Sequence, residues 1–316
     1  MKKLFLILML LISLVASAQT PVARAKKLFE ENRPIEARTI LTTIKDSDNE
    51  YASAQYYMGR IAIQENKLDD AEDFFEEAIE VNDKVSDYHT WLGNTYGQIA
   101  RDANMFKQGM LAPKMKAEWE KAVALDPKSI DPRLSLIQYY LQAPGIVGGS
   151  IDKAKETAKQ ILVLNPAQGH LQLGNIYYKE KKMIEAEKEF VEMVKIDPTY
   201  TYGLANFYLG QKQYDKAFAL FEDALKKSPD DMTTVYQLGK ASALSGQRLD
   251  RGEECLRKYL TYIPKNNEPS LAGANMRLAQ VMEKKGNKSE AKKRFELALK
   301  MDGTMKEAKE GLERVK

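Results

Sequence analysis

The sequence predicts an all-α protein, an α-solenoid of about eight helix–turn–helix repeats that ends in a capping helix. Three observations predict this fold. Apolar residues recur along the chain at the three- and four-residue spacing of amphipathic helices. The helical segments come in pairs that are separated by short polar turns. The paired unit then returns at a period of roughly 30 to 40 residues, which is typical of repeat proteins.

The clearest repeat covers residues 168–198. Its first helix carries Leu173 and Gly174, and its second helix carries Ala186 ahead of an aromatic residue. We expect the small residues Gly174 and Ala186 where the two helices approach most closely, because larger side chains would push the helix axes apart. Pro198 ends the repeat, since proline does not continue a helix.

This order of residues resembles the tetratricopeptide repeat, with the pattern W-x2-L-G-x2-Y…A-x3-F…P over about 34 residues. The resemblance implies a right-handed solenoid in which each repeat buries its apolar face on its neighbours. Variations of the pattern occupy residues 20–50, 52–84, 86–128, 130–166, 168–198, 199–229, 232–264 and 272–303. Residues 304–316 place apolar residues on one face and charges on the other, as a capping helix requires.

Two repeats are irregular. Residues 101–117 lengthen the third repeat, and Met115 stands where the pattern has alanine, so either the helices are extended or a loop projects. In the fourth repeat, three glycines and a proline within 143–150 exclude a helix interior. Ser150 or Asp152 could cap the helix that follows. These features resemble a subset of exported bacterial tetratricopeptide proteins that share the long third repeat and the YLQAPGIVGG loop.

The first 18 residues have the pattern of a secretory signal peptide. Two lysines precede an apolar run that ends at Ala16-Ser17-Ala18, a small-residue cleavage site. The alternative is a membrane anchor, but the run is shorter than the ~20 residues that a spanning helix needs. We therefore expect an exported mature chain, 19–316, without a transmembrane anchor. The periplasm is the expected location, and full secretion is the alternative.

Charge and cysteine content narrow the functional classes. The chain carries 48 basic and 45 acidic residues, and loss of Lys2 and Lys3 brings the mature chain closer to neutrality. A near-neutral protein has no overall electrostatic reason to bind nucleic acid or an anionic membrane. The single cysteine, Cys255, excludes an intramolecular disulfide. Its apolar neighbours favour a partly buried, inert thiol over a reactive or intermolecularly paired one.

The resemblance implies a concave groove lined by the first helix of each repeat. The residue after the Leu-Gly pair points into such a groove, and this row reads Arg60, Asn94, Gln138, Asn175, Asn206, Lys240 and Gln280. Four residues earlier, the same face carries Tyr56, Thr90, Leu134, Leu171, Tyr202, Tyr236 and Met276. Amides beside aromatic residues suit the main chain and side chains of a bound peptide. The alternatives are a polar position copied by repeat duplication, and core packing for the Leu and Met members.

Some members of the family clamp a C-terminal carboxylate with Lys and Asn at these two rows. This sequence has Thr90, Leu171 and Tyr202 where the lysine would stand, which argues against the capture of a cytosolic chaperone tail.

The glycine loop has three interpretations. Pro144, Gly145, Gly148 and Gly149 could form a long turn, a docking surface for a partner, or a phosphate cradle. The cradle is disfavoured because the loop lacks G-K-[ST] and follows a helix instead of a strand.

Catalysis has little support in the sequence. His89 and His170 both stand three residues before a Leu-Gly pair, so equivalent structural positions explain them better than a catalytic or metal-binding pair. We expect no enzyme activity, no cofactor and no metal.

The sequence favours a non-catalytic exported scaffold that binds a peptide or protein segment in its groove. The alternative is a component that binds a small ligand, or docks on a transporter or envelope complex, through residues 143–150. The sequence leaves the oligomeric state open.

Overall fold

The computed structural model describes residues 19–316, and the predicted signal peptide at 1–18 lies outside them. Within the described part of the chain every regular element is a helix, and no strand is present. This confirms the predicted all-α class and the helix–turn–helix arrangement.

Seventeen α-helices follow one another along the described residues. They are α1 (Pro21–Glu30), α2 (Pro34–Leu41), α3 (Tyr51–Gln64), α4 (Leu68–Val81), α5 (Ser86–Asp102), α6 (Met105–Leu125), α7 (Asp131–Gln142), α8 (Ile151–Leu164), α9 (Pro166–Lys179), α10 (Met183–Ile196), α11 (Thr201–Gly210), α12 (Tyr214–Lys227), α13 (Met232–Ser245), α14 (Leu249–Tyr259), α15 (Leu271–Lys284), α16 (Lys288–Met301) and α17 (Lys306–Arg314). Short 3-10 helices lie at Gly145–Val147 and Pro198–Tyr200.

The helices group into two compact units, one ending at Asn165 and one formed by Pro166–Lys316. We call them the N-terminal half and the C-terminal half. In the N-terminal half, α1 packs on α2, α3 on α4, α5 on α6 and α7 on α8. In the C-terminal half, α9 packs on α10, α11 on α12, α13 on α14 and α15 on α16, and α17 covers the last pair. Each half is therefore a stack of helix hairpins.

A recurring turn joins the two helices of a hairpin. Asn32, Asn66, Lys181 and Lys212 each adopt a left-handed backbone with φ between 56° and 62°, two residues before a second helix begins. The following N–H donates back to a carbonyl of the first helix, as from Lys182 to Tyr177 at 2.9 Å. This bond satisfies a carbonyl that the helix end would leave unpaired.

Glycine allows the two helices of a hairpin to touch. A Cβ on Gly174 would lie 2.5 Å from Cε1 of Phe190, which is well inside van der Waals contact. Gly59 stands in the same way against Phe75, and Ala186 is fully buried. The close approach expected at Gly174 and Ala186 is confirmed.

The third repeat is long because its helices are long. Only residues 103–104 separate α5 from α6, so helical extension is confirmed and no loop projects. Asn104 accepts a hydrogen bond from the N–H of Lys107 and thereby caps α6. Pro113 lies inside α6, where it leaves one backbone carbonyl without its usual helical donor.

None of the helices between residues 19 and 316 is both long enough and apolar enough to cross a membrane.

Candidate functional site

Contacts between first helices define an inner face in each half. In the N-terminal half, α1 contacts α3, α3 contacts α5, and α5 contacts α7. In the C-terminal half, α13 contacts α15, and α15 contacts α17. Second helices of neighbouring repeats make no contact of similar extent among the described residues. First helices lie closer together than second helices, so the surface they line is the inner one.

Arg60 and Asn94 bridge neighbouring first helices in the N-terminal half. The guanidinium carbon of Arg60 lies 3.8 Å from the centre of the Trp91 ring on α5. Oδ1 of Asn94 accepts hydrogen bonds from Nε1 of Trp119 and from the Ser135 hydroxyl on α7, both at 3.0 Å. The main role of these two side chains in the structure is to hold adjacent helices together.

Gln138 continues the same row but differs from the two residues before it. Its side chain is exposed, and its amide oxygen accepts a hydrogen bond from Gln142 on the same helix.

The aromatic row is mostly packed into the protein. Tyr56 and Tyr236 are buried, whereas Tyr202 is 39% exposed. Thr90 and Met276 are buried as well. The structure therefore leaves Tyr202 as the one tyrosine of the predicted site with an exposed ring.

The C-terminal half presents the unbonded members of the polar row. Asn175 is exposed and Asn206 is half-buried, and neither side chain forms a hydrogen bond with a described residue. Lys240 on α13 is half-buried and forms no ion pair within residues 19–316. These three side chains are available to a ligand.

Arg277 joins this surface from α15. Its Nη1 donates to Oε1 of Gln280 at 2.9 Å and to Oε2 of Glu307 at 2.8 Å. Its positive charge acts on the Tyr236 hydroxyl, and its Nε is buried without a hydrogen-bond partner among the described residues. Arg277 was not among the predicted site residues, although a lone charge in an apolar helical run was a signal for it.

Lys240 and Arg277 form a cationic site that is only partly neutralised. Burial, and then the positive charge of Arg277, lower the pKa of the Lys240 ammonium, and Glu307 offsets part of this effect. Glu307 is ion-paired to Arg277, so the site holds two cations and one carboxylate. Its chemistry suits an incoming anionic group.

The two histidines make the same contact in their repeats. Nδ1 of His89 lies 2.6 Å from Oε2 of Glu118, and Nδ1 of His170 lies 2.6 Å from Oε2 of Glu189. Each glutamate directly precedes the aromatic residue that faces the glycine of the first helix. Equivalent structural positions are thereby confirmed.

The slot that these histidines occupy is polar in other repeats too. Arg133 and Asn275 stand at this position in their repeats. Arg133 hydrogen-bonds Gln160, and Asn275 hydrogen-bonds Arg294, in each case on the second helix of the same hairpin. At this position a polar side chain of the first helix therefore bonds the second helix of its own hairpin. No group of three or more His, Cys, Asp or Glu residues in the described chain is arranged to hold a metal ion.

The glycine loop is an ordered turn. Gly148 has φ of 98°, and a Cβ on Gly149 would overlap the carbonyl oxygen of Ala143. The Tyr139 hydroxyl donates to the carbonyl of Val147 and holds the loop against α7. Both glycines are therefore required by the turn itself.

The loop uses its own backbone donors. The N–H groups of Val147, Gly148, Gly149 and Ser150 all donate to carbonyls between Tyr140 and Gly145. They are not free to cradle a phosphate. Ile146 is 95% exposed at the surface of the loop. The Ser150 hydroxyl accepts from the N–H of Lys153, so of the two possible caps, Ser150 and Asp152, it is Ser150 that caps α8.

Cys255 is buried on α14, with 2% of its surface exposed. Burial raises the pKa of its thiol to about 11. The predicted burial is confirmed, and the raised pKa keeps the thiol protonated at neutral pH.

Models of the tetratricopeptide repeat match residues 28–93, 167–200, 200–241 and 272–305, which together make up more than half of the chain. No curated protein matches the sequence. Among solved structures, the chain is similar to a tetratricopeptide repeat protein from Parabacteroides merdae ATCC 43184. The two share 16% identity with a TM-score of 0.51, over 84% of this chain and 99% of that one.

Two further structures align less closely. A thermophilic TPR protein from Thermus thermophilus, TTC0263, is 21% identical with a TM-score of 0.41, over 60% of this chain and 98% of that one. YrrB, described as a TPR protein with an unusual peptide-binding site, is 16% identical with a TM-score of 0.43, over 62% of this chain and 97% of that one. At such identities a likeness to solved structures concerns the fold alone. The repeat models, the helix hairpins and the glycine–aromatic contacts agree, and the chain belongs to the tetratricopeptide repeat family.

Proposed function

We propose that this protein is a non-catalytic, exported interaction scaffold, and that its C-terminal half binds an extended peptide or protein segment with an acidic group. Tetratricopeptide repeats commonly serve as protein-interaction scaffolds. The observation that carries the proposal is Lys240, a half-buried ammonium beside Arg277 that forms no ion pair within residues 19–316, since the nearby Glu307 is paired with Arg277.

An unpaired cation in a partly desolvated site is unfavourable until an anion reaches it. Glu307 is already shared with Arg277, so it does not neutralise both cations. A carboxylate from a partner would pair with Lys240 and receive charge-assisted hydrogen bonds. This selects an Asp or Glu side chain, or a C-terminal carboxylate, as the anchoring group.

Asn175, Asn206 and Tyr202 supply less specific contacts in the same half. Free side-chain amides donate to and accept from a peptide main chain whatever its sequence, and an exposed tyrosine ring covers apolar side chains. We assign these residues to the main chain of the ligand and Lys240 to its acidic group.

Export and location in the periplasm belong to the proposal as well. They rest on the signal-peptide pattern of residues 1–18.

The test is a selection from a random peptide library with free C-termini, followed by binding measurements on the enriched peptides by fluorescence anisotropy. We expect wild type to enrich peptides with an acidic residue or a recognised C-terminus. Lys240→Ala should weaken their binding by about tenfold or more, because a charge-assisted hydrogen bond is lost.

Two controls accompany this test. Lys226→Ala removes an exposed lysine of α12 and should leave binding unchanged. The double variant Asn175→Ala/Asn206→Ala should weaken all enriched peptides alike. Enrichment without acidic preference, or equal binding by wild type and Lys240→Ala, would overturn the role of Lys240.

Crosslinking from the native envelope fraction with the same variants then identifies the natural partner. A partner captured by wild type and lost from Lys240→Ala belongs to the inner face. A partner retained by all of these variants contradicts the groove proposal.

The second candidate is docking through the glycine loop. Ile146 is the observation that favours it, since an almost fully exposed isoleucine on an ordered turn is a contact point for a partner. Ile146→Ser leaves the backbone bonds of the loop intact and should abolish capture of a partner that docks there. Capture that is insensitive to Ile146→Ser contradicts this candidate.

A further inference from the structure

The extended hairpin of the third repeat carries an apolar stripe on its outer face. Phe106, Met110, Pro113 and Ala117 lie on α6 at the four- and three-residue steps that align side chains on one side of a helix. All four are exposed, with Phe106 at 79% and Met110 at 57%. Met105, at the start of the same helix, is 87% exposed.

The opposite face of α6 packs into the hydrophobic core of this repeat. Leu111, Trp119 and Ala122 are the buried residues of α6. The stripe is therefore a second apolar surface that the hairpin core does not use. An exposed cluster of large apolar side chains at one place marks an interaction surface.

Basic residues border the stripe. Residues 101–117 contain Arg101, Lys107, Lys114 and Lys116 against the single carboxylate of Asp102. Arg101, Lys107 and Lys114 are exposed and form no ion pair with any described residue, and the Lys114 ammonium lies 5.0 Å from the centre of the Tyr96 ring. The near-neutral charge of the whole chain thus hides a cationic segment around an apolar one.

We propose that the outer face of α6 binds the surface of an anionic lipid bilayer, with Phe106 and Met110 inserted at the headgroup level. A helix segment with one apolar side, lysines at its border and no acid between Phe106 and Ala117 lies in the interface plane of such a bilayer. The lysine stems extend along the apolar boundary while their ammonium groups reach lipid phosphates. This attachment differs from a spanning helix and is independent of the peptide site on the C-terminal half.

Vesicle flotation tests the proposal directly. Purified protein is mixed with vesicles of phosphatidylcholine and phosphatidylglycerol, or with pure phosphatidylcholine vesicles, at low and high salt. We expect flotation with the anionic vesicles, a loss with rising salt, and little flotation with phosphatidylcholine alone.

Three variants separate the apolar and the electrostatic contributions to vesicle binding. Phe106→Ser/Met110→Ser should bind anionic vesicles about tenfold or more weakly, since two large side chains no longer leave water. Arg101→Glu/Lys107→Glu should lose a similar factor and with it most of the salt dependence. Ile184→Ser/Ile263→Ser removes two side chains of comparable exposure in the C-terminal half and should float like wild type.

Failure of wild type to float, or equal flotation of wild type and the serine variant, would overturn the proposal. The stripe would instead join two copies of this chain if sedimentation showed a dimer that Phe106→Ser/Met110→Ser dissociates, without flotation. Since the altered residues lie on the surface, circular dichroism should give all variants the unfolding midpoint of wild type. Peptide binding by these variants should stay unchanged, which separates this test from that of the proposed function.

Discussion

The glycine after the leucine in a first helix sets how closely the two helices of a hairpin pack. Gly59, Gly93 and Gly174 each face a large ring of the second helix, with no room for a Cβ. The ring fills the space that the missing side chain leaves, so shape and close packing explain the pairing.

We expect Gly174→Ala to destabilise the protein by roughly 1–3 kcal/mol, because the added methyl group must displace the Phe190 ring. The measurement is the free energy of unfolding in urea. Gly203→Ala is the matched control, since a Cβ there meets nothing within 4 Å. It should be neutral or slightly stabilising, as alanine favours helices over glycine. Equal effects of the two substitutions would contradict the packing argument.

The buried imidazole of His89 is hydrogen-bonded to the carboxylate of Glu118. Burial lowers the pKa of His89, but the hydrogen bonds with the Glu118 carboxylate and the Asp83 carbonyl outweigh it, so the pKa is raised overall. A group whose pKa is higher in the folded state stabilises the fold below its unfolded pKa, which is about 6.5 for histidine. That stabilisation is lost as pH rises through the folded pKa.

The contribution of His89 to the free energy of unfolding of wild type should therefore fall as pH rises above its unfolded pKa of about 6.5, because the imidazolium loses its proton. His89→Gln keeps a polar side chain but does not titrate, so its stability should vary less over this range. Urea titrations at several pH values provide the comparison. Parallel pH profiles for the two proteins would exclude His89 as the source.

At the scale of elements, part of the predicted ligand row joins first helices. Asn94 links α5 to α7 through Ser135 and also holds the Trp119 indole of α6. A row with the periodicity of a binding groove therefore has two roles. In the N-terminal half, Arg60 and Asn94 join neighbouring helices, and in the C-terminal half Asn175, Asn206 and Lys240 remain open.

Asn94→Ala should lower the free energy of unfolding by about 1–3 kcal/mol, because the Trp119 and Ser135 donors lose their acceptor. Gln138→Ala, at the equivalent position of the next repeat, removes an exposed side chain and should change stability little. Thermal and urea unfolding measure both. A stable Asn94→Ala variant would return Asn94 to the set of free ligand-binding residues.

At the scale of the whole molecule, each half has its own hydrophobic core. The largest core cluster runs from Ala186 to Val315, entirely within the C-terminal half. Two other clusters, covering Val22–Ile61 and Ala52–Leu111, lie in the N-terminal half. Because each hairpin contacts mainly its sequence neighbours, the contacts that stabilise a half are local.

We expect residues 166–316 to fold without the rest of the chain into a helical, cooperatively unfolding protein. Circular dichroism and urea titration of the fragment test this. Residues 183–316 form the control, since removal of α9 uncovers Ala186, Phe190 and Met193 on α10. That shorter fragment should be less stable or aggregate. An unfolded 166–316 fragment, or no difference between the two, would contradict independent folding.

Sequence alone was sufficient for the helix hairpins, their order and the close approach of two helices at Gly174 and Ala186. These features depend on residues within one repeat, so that spacing along the chain translates directly into position on a helix face. The caps and turns at Ser150, Asn32 and Asn66 were equally local, because side-chain and backbone bonds there join residues only a few positions apart.

Only the tertiary structure decided which of the predicted residues are free. Tyr56 and Tyr236 are buried, and Asn94 is bonded, by side chains of neighbouring helices. Arg277 meets Glu307 through the packing of α17 on α15, which no local pattern encodes. The outer stripe on α6 likewise depends on which face of a long helix turns toward α5. Residues distant in sequence determine which side chains are exposed and which are bonded. For that reason the periodicity predicted the polar and aromatic rows of the first helices but not which of their members are free to bind a ligand.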